Sequence, residues 1–157
     1  MDGVKAAVVA AALAVAALNG AAGLLGAYAW YRGDPTGRAA GSFWVALRVG
    51  QGAALVLAIV IGSLAGAGKS ASEQLFYLYA LLPLAVAFVA EQLRVAAAQT
   101  ILDQRGLEDS AAVGRLPEAE QRELLLAVVR REIGVMALSA LVVFGLALRA
   151  AGTAHGF

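Results

Sequence analysis

Four long stretches of this chain contain no Asp, Glu, Lys or Arg. They cover residues 6–31, 49–68, 74–90 and 133–148, or 26, 20, 17 and 16 residues. A helix needs roughly 20 apolar residues to cross about 30 Å of hydrocarbon, and the two shorter stretches reach that length if Glu91 and Glu132 lie at an interface. The pattern predicts an all-α fold, a four-helix transmembrane bundle, with spans at about 4–30, 42–67, 74–94 and 132–150.

The first of these stretches could instead be a cleaved signal peptide. Lys5 precedes it, and small residues surround Ala21 and Ala22. The apolar core of a signal peptide is usually about 7–15 residues long, whereas this stretch has 26. Its length favours a membrane span.

Basic residues are distributed unevenly between the two sides of such a bundle. The side that holds both termini and the loop between the second and third spans carries Lys5, Lys69 and Arg149. The other side carries nine arginines: Arg32, Arg38, Arg48, Arg94, Arg105, Arg115, Arg122, Arg130 and Arg131. Because basic residues concentrate in cytoplasmic segments, we expect a multi-pass protein of the cell membrane with both termini outside.

The segment between the third and fourth spans, about residues 95–131, is expected to form a helical cytoplasmic extension. Its first part is rich in helix-forming residues, so the third helix should continue to about Gln104, with Gly106 as the stop signal. Pro117 suits the first turn of a helix, so the fourth helix should begin there. The alternative is a separate interfacial helix over residues 117–131.

Composition agrees with a membrane protein formed by a single integral membrane domain over residues 1–157. Hydrophobic residues make up 61% and charged residues 15%, and the mean hydropathy is +0.78. Soluble domains contain about 45–50% apolar and about 25% charged residues. These values exclude a disordered chain and an ordinary soluble enzyme. The net charge of +1 creates no field that would attract nucleic acid, so no nucleic-acid partner is expected.

Polar and charged residues cluster near the predicted cytoplasmic face. The set contains Arg48 and Gln51 on the second helix, Glu91 and Arg94 on the third, and Glu132 on the fourth. Ionisable groups inside a membrane usually face the bundle and pair, so we expect Arg48 to face inward and pair with Glu91 or Glu132. The set is either a structural ion-pair layer with snorkelling arginines or a site for an anionic lipid headgroup, a quinone or an ion.

The sequence offers little catalytic chemistry. It has no cysteine and a single histidine, His155, and it contains neither HExxH nor a cluster with metal-ligand spacing. Residues 63–70, SLAGAGKS, imitate the end of a phosphate-binding loop but lack its first glycine and follow a predicted membrane span. We therefore expect no enzymatic activity, no metal and no cofactor.

Small residues recur within the predicted spans. Gly20, Gly23 and Gly26 are spaced by three, and Gly62 and Gly66 form a GxxxG motif. Such residues let helices approach closely in lipid, either within the bundle or between two copies of the chain. Asn19 in the first span is expected to form a hydrogen bond between helices. The expected partners are membrane lipid and either a second copy or another membrane protein.

Three segments resemble a known group of proteins. They are FWVALRVGQGAAL at 43–55, YALLPLAVAFVAEQLRVAAAQ at 79–99 and RREIGVMALSALV at 130–142. Together they resemble small four-span integral membrane proteins of actinobacterial type, a family with no assigned activity. The resemblance implies an integral membrane protein and carries over no catalytic or binding residue.

Three functions remain open from the sequence. The first is a non-enzymatic accessory or scaffold subunit of a membrane assembly, favoured by the small-residue helix faces and the long hairpin. The second is a small oligomeric transporter or channel, which would have to oligomerise because four spans are few for such a fold. The third is a lipid- or quinone-binding redox accessory.

Overall fold

The protein is an all-helical bundle in the computed structural model, which describes residues 2–107 and 110–155. The helices are α1 Asp2–Arg32, α2 Arg38–Gly66, α3 Gln74–Gln104, α4 Ser110–Gly114 and α5 Glu118–Thr153. Helices α1, α2, α3 and α5 are each long and apolar enough to cross a membrane. The predicted four-helix bundle is therefore confirmed.

Glycines in a left-handed conformation follow three of the long helices. Gly33, Gly68 and Gly106 have φ values of +65°, +76° and +66°. After α3, the Leu107 amide donates to the Leu102 carbonyl and the Gly106 amide donates to the Asp103 carbonyl, each at 3.0 Å. These two hydrogen bonds provide donors for carbonyls that would otherwise have no partner at the end of the helix. Glycine adopts the required φ without strain. The stop signal predicted at Gly106 is confirmed.

The segment after α3 returns as a helical hairpin. Pro117 is the N-cap of α5, which continues without a break to Thr153, so the alternative of a separate interfacial helix is wrong. Arg105 Nη2 donates to Glu123 Oε1 at 2.8 Å, and this contact joins the end of α3 to the start of α5. We call this end of the bundle the hairpin end, and the end that carries Asp2 and Thr153 the terminal end.

The four long helices form a ring that is open on one side. Helix α1 packs extensively against α2 and α5, and α3 packs against α5, whereas α2 and α3 make far looser contact. Glycine in α1 explains how closely α1 approaches α5, because a Cβ added at Gly26 would lie 2.7 Å from the Ala137 Cβ. Gly62 and Gly66 face open space, with no described atom of another element near them. We refer to the loose contact between α2 and α3 as the open seam.

The interior contains two apolar clusters, one toward each end of the bundle. Asn19 is buried near the middle of α1, where its Nδ2 donates to the Val15 carbonyl at 2.9 Å. The expected hydrogen bond between helices is therefore wrong: the amide bonds within its own helix. It instead packs against Gly50 of α2, where an added Cβ would lie 2.9 Å from Nδ2.

Candidate functional site

A carboxylate between two arginines lies at the open seam. Arg48 Nη1 on α2 donates to Glu91 Oε1 on α3 at 2.5 Å and to Gln51 Oε1 at 2.8 Å. Arg94 Nε lies 3.0 Å from the other oxygen of Glu91, Oε2. Nε is buried without a hydrogen bond in the described structure, so the contact with Glu91 is one of charge. The structure thus brings together four of the five residues predicted from the sequence.

Trp44 completes this cluster. Its ring centroid lies 6.0 Å from Arg48 Cζ and 5.8 Å from Arg94 Cζ, which are distances at which a cation is attracted to an indole face. Trp44 is not among the site residues predicted from the sequence. Its position one turn before Arg48 on α2 was the available signal, since residues four apart share a helix face.

Helix geometry explains why these side chains meet. Trp44, Arg48 and Gln51 follow each other at four and three residues, and Glu91 and Arg94 are three apart, so each set occupies one face of its helix. Side chains lean toward the N-terminus of their own helix. Because α2 and α3 run in opposite directions, Arg48 and Glu91 lean toward each other along the bundle axis.

The cluster opens to the outside of the bundle. The Arg48 side chain is 51% exposed and that of Glu91 27% exposed. The pairing predicted for Arg48 is confirmed, but the prediction that Arg48 faces the interior is wrong. The inward positions of α2 at this level are Leu47 and Gly50, both buried, and the open seam leaves the face of Arg48 uncovered.

Glu132 lies outside the cluster, which corrects the expectation that it belongs to the same layer. It forms no ion pair with any residue of the described ranges. Along α5 it shares a face with Val135 and Ser139, which line a groove against α3. Helices α2 and α5 stand diagonally in the bundle and make little contact, so Glu132 cannot take the place of Glu91 beside Arg48.

An apolar layer separates the charged residues at the two ends of the bundle. Helix α5 has no charged residue between Glu132 and Arg149, a length of about 25 Å at 1.5 Å per residue. Helix α3 has none between Glu73 and Glu91, about 27 Å by the same measure. Both lengths are close to the roughly 30 Å of a bilayer core.

The backbone of Arg48 lies well inside this layer. It is about 15 Å from the start of α2 at 1.5 Å per residue, and neighbouring Gly50 packs against Asn19 near the middle of α1. Its guanidinium reaches back toward Glu91 at the border of the layer. The site is therefore an ion pair at apolar depth that is exposed on the outside of the bundle.

The cluster carries two positive charges and one negative charge, so it attracts anionic or strongly polar groups. No group of three His, Asp or Glu side chains suited to a metal ion occurs within residues 2–107 and 110–155. No known protein family, curated protein or solved structure matches the chain. The resemblance to four-span actinobacterial membrane proteins stays a prediction.

Proposed function

We propose that this protein is a non-enzymatic integral membrane protein of the cell membrane, an accessory or scaffold subunit that holds a membrane partner against its open seam. The observation that carries the proposal is the Arg48–Glu91 pair at apolar depth, in which half of the Arg48 side chain is exposed. The fold supplies the other requirement, since four of its helices are long and apolar enough to cross a bilayer.

Placing a charge in hydrocarbon is energetically unfavourable. An ionised arginine at the centre of a membrane costs about 2.5 kcal/mol or more. Glu91 compensates part of this cost, but half of the Arg48 side chain faces outward, where lipid tails offer no hydrogen bond. A polar group from a neighbouring helix could accept a hydrogen bond from the Arg48 guanidinium, and such contacts hold transmembrane helices together. One turn further along α2, Gly52 leaves open space for that helix to approach.

The proposed orientation places both termini outside and the hairpin end in the cytoplasm. Nine of the chain's twelve basic residues then lie on the cytoplasmic side or lean toward it, as the distribution rule for basic residues requires. The Arg48–Glu91 pair would then sit in the cytoplasmic half of the bilayer.

Site-specific photocrosslinking in native membranes tests the proposal. A photoreactive amino acid replaces Leu55, which is 50% exposed and lies on the same side of α2 as Arg48. The matched control is Leu13 on α1, which is 47% exposed at the same level, because Asn19 opposes Gly50. We expect a protein adduct of defined size from position 55, weaker adducts when Arg48→Gln is added, and only lipid adducts from position 13.

Each outcome separates the proposed function from its alternatives. An adduct with a different protein supports the accessory or scaffold subunit. An adduct with a second copy of the chain alone favours the small oligomeric transporter or channel. Equal lipid adducts from both positions overturn the proposal, and a quinone crosslinked at position 55 would favour the redox accessory.

A further inference from the structure

A second surface, separate from the open seam, combines an apolar groove with cationic residues. The groove has a volume of about 380 Å³ and lies between α1 and α5. Its wall consists of Ala27 and Trp30 on α1 and of Gly134, Leu138 and Leu141 on α5, and Arg131 closes its hairpin end. It is therefore apolar along its length and charged at one end.

The charged end holds Arg131, which lines the groove, and Arg130, which lies beside Trp30. Arg130 and Arg131 are exposed, and neither forms an ion pair with any described residue. Arg130 Cζ lies 5.5 Å from the Trp30 ring centroid. The indole packs against Gly134, where an added Cβ would lie 3.1 Å from Trp30 Nε1. Arg131 and Trp30 thus line one groove, and Arg130 lies beside the Trp30 ring, so two cationic side chains and an indole lie at the same end of the groove.

The depth of the groove matches one leaflet of a bilayer. Arg131 borders the apolar layer, and from there the groove extends to Leu141, about 15 Å along α5 at 1.5 Å per residue. Half of a roughly 30 Å hydrocarbon core has the same depth. A lipid phosphate at the arginines would therefore place an acyl chain along the groove.

We propose that the groove between α1 and α5 binds an anionic phospholipid, with its phosphate on Arg130 and Arg131 and one acyl chain beside Trp30. Basic pockets between transmembrane helices bind anionic lipid headgroups in this manner. Glu132 does not oppose the headgroup, because it lies on the face of α5 that is turned toward α3. The larger groove between α3 and α5 has Ser139 as its one polar lining residue and no basic one, so it lacks the anchor.

Fluorescence quenching by brominated lipids tests this site. The chain has two tryptophans, so Trp44→Phe leaves Trp30 as the sole reporter. The variant is reconstituted in phosphatidylcholine vesicles that contain a small fraction of brominated phosphatidylglycerol or, in parallel, brominated phosphatidylcholine. We expect about five- to thirtyfold stronger apparent binding of the brominated phosphatidylglycerol, the factor for one to two basic residues near an anionic surface.

Matched variants assign the effect to the groove. Arg130→Gln with Arg131→Gln should remove the preference, whereas Arg38→Gln, an exposed arginine at the start of α2, should keep it. Native mass spectrometry of the chain with both tryptophans present should show phosphatidylglycerol retained over phosphatidylcholine, with the same dependence on Arg130 and Arg131.

Three results would overturn the proposal. They are equal quenching by the two brominated lipids, a preference that survives loss of both arginines, and displacement of the brominated lipid by millimolar inorganic phosphate. The last result would assign the arginines to a soluble phosphate ligand. None of these outcomes depends on whether a protein partner occupies the open seam, so failure here is distinguishable from failure of the proposed function.

Discussion

At the residue scale, one carboxylate organises the cluster at the open seam. Glu91 accepts a hydrogen bond from Arg48 through one oxygen and lies 3.0 Å from Arg94 through the other. Trp44 lies close to both guanidinium groups. Removal of one member of such a group leaves an uncompensated charge, which destabilises more than removal of the whole pair. The contribution of each residue therefore depends on whether its partner is present.

A double-mutant cycle measures this dependence. We expect Arg48→Ala and Glu91→Gln each to lower the unfolding temperature in detergent. The double variant should lower it by less than the sum of the two single effects. The coupling should be about 1 kcal/mol, within the usual range for residues in contact. Arg48→Ala combined with Glu132→Gln is the control and should be additive, because those residues do not touch. Additivity in the Glu91 cycle as well would contradict the pairing.

At the element scale, glycines of the same sequence type have different roles. On α1, Gly23 and Gly26 allow α5 to approach closely. A Cβ added at Gly23 would lie 2.5 Å from Leu141 Cδ2, and one added at Gly26 would lie 2.7 Å from Ala137 Cβ. On α2, Gly62 and Gly66 face open space despite their GxxxG spacing. The glycine series of α1 therefore packs within the bundle, and the pair on α2 remains on its surface.

Alanine substitutions should separate these two roles. Gly26→Ala forces the new methyl group against Ala137 and the Phe43 ring, so we expect destabilisation by about 1–3 kcal/mol, as for other overpacked cores. Gly62→Ala meets no atom and improves helix propensity, so its unfolding temperature should be unchanged or slightly raised. Thermal unfolding in detergent, followed by circular dichroism, compares the two. Equal unfolding temperatures would show that α1 and α5 are not in close contact at Gly26.

The hairpin also belongs to this scale, and spin labels can test it. Leu124 is buried at the start of α5, whereas Leu125 is 59% exposed. Labels placed singly along residues 118–131 should show mobility that varies with a period of 3.6 residues, lowest near 124 and high at 125. Electron paramagnetic resonance line shapes report that mobility. Uniformly high mobility would mean that the hairpin does not pack in membranes.

At the scale of the whole molecule, the bundle has one apolar layer, two charged ends and one open side. The apolar layer spans about 25 Å along α5, counted at 1.5 Å per residue. The amide and hydroxyl of Ser72 donate to the His155 carbonyl and join the loop before α3 to the end of α5 at the terminal end. The hairpin end carries the arginines of the proposed lipid site. In the proposed orientation, this asymmetry assigns each end to a side of the membrane.

Cysteine labelling tests that assignment directly, because the chain contains no cysteine of its own. Ser70→Cys lies in the exposed loop between α2 and α3, and Ala119→Cys is exposed at the start of α5. In intact cells an impermeant thiol reagent should label position 70 and spare position 119. Permeabilised cells provide the control, in which both should react. The opposite pattern in intact cells would place the termini in the cytoplasm.

The sequence by itself determined the four apolar helices, the extension of α3 to Gln104 and the start of α5 beside Pro117. These features depend on local physics: the length of a charge-free run, the left-handed conformation that glycine tolerates and the fixed φ of proline. Only the tertiary structure decided that Arg48 pairs with Glu91 rather than Glu132 and that the pair faces outward. Helices that are apolar all round do not record which neighbour each face meets. The order of helices around the ring, with α2 and α3 barely in contact, supplied that information.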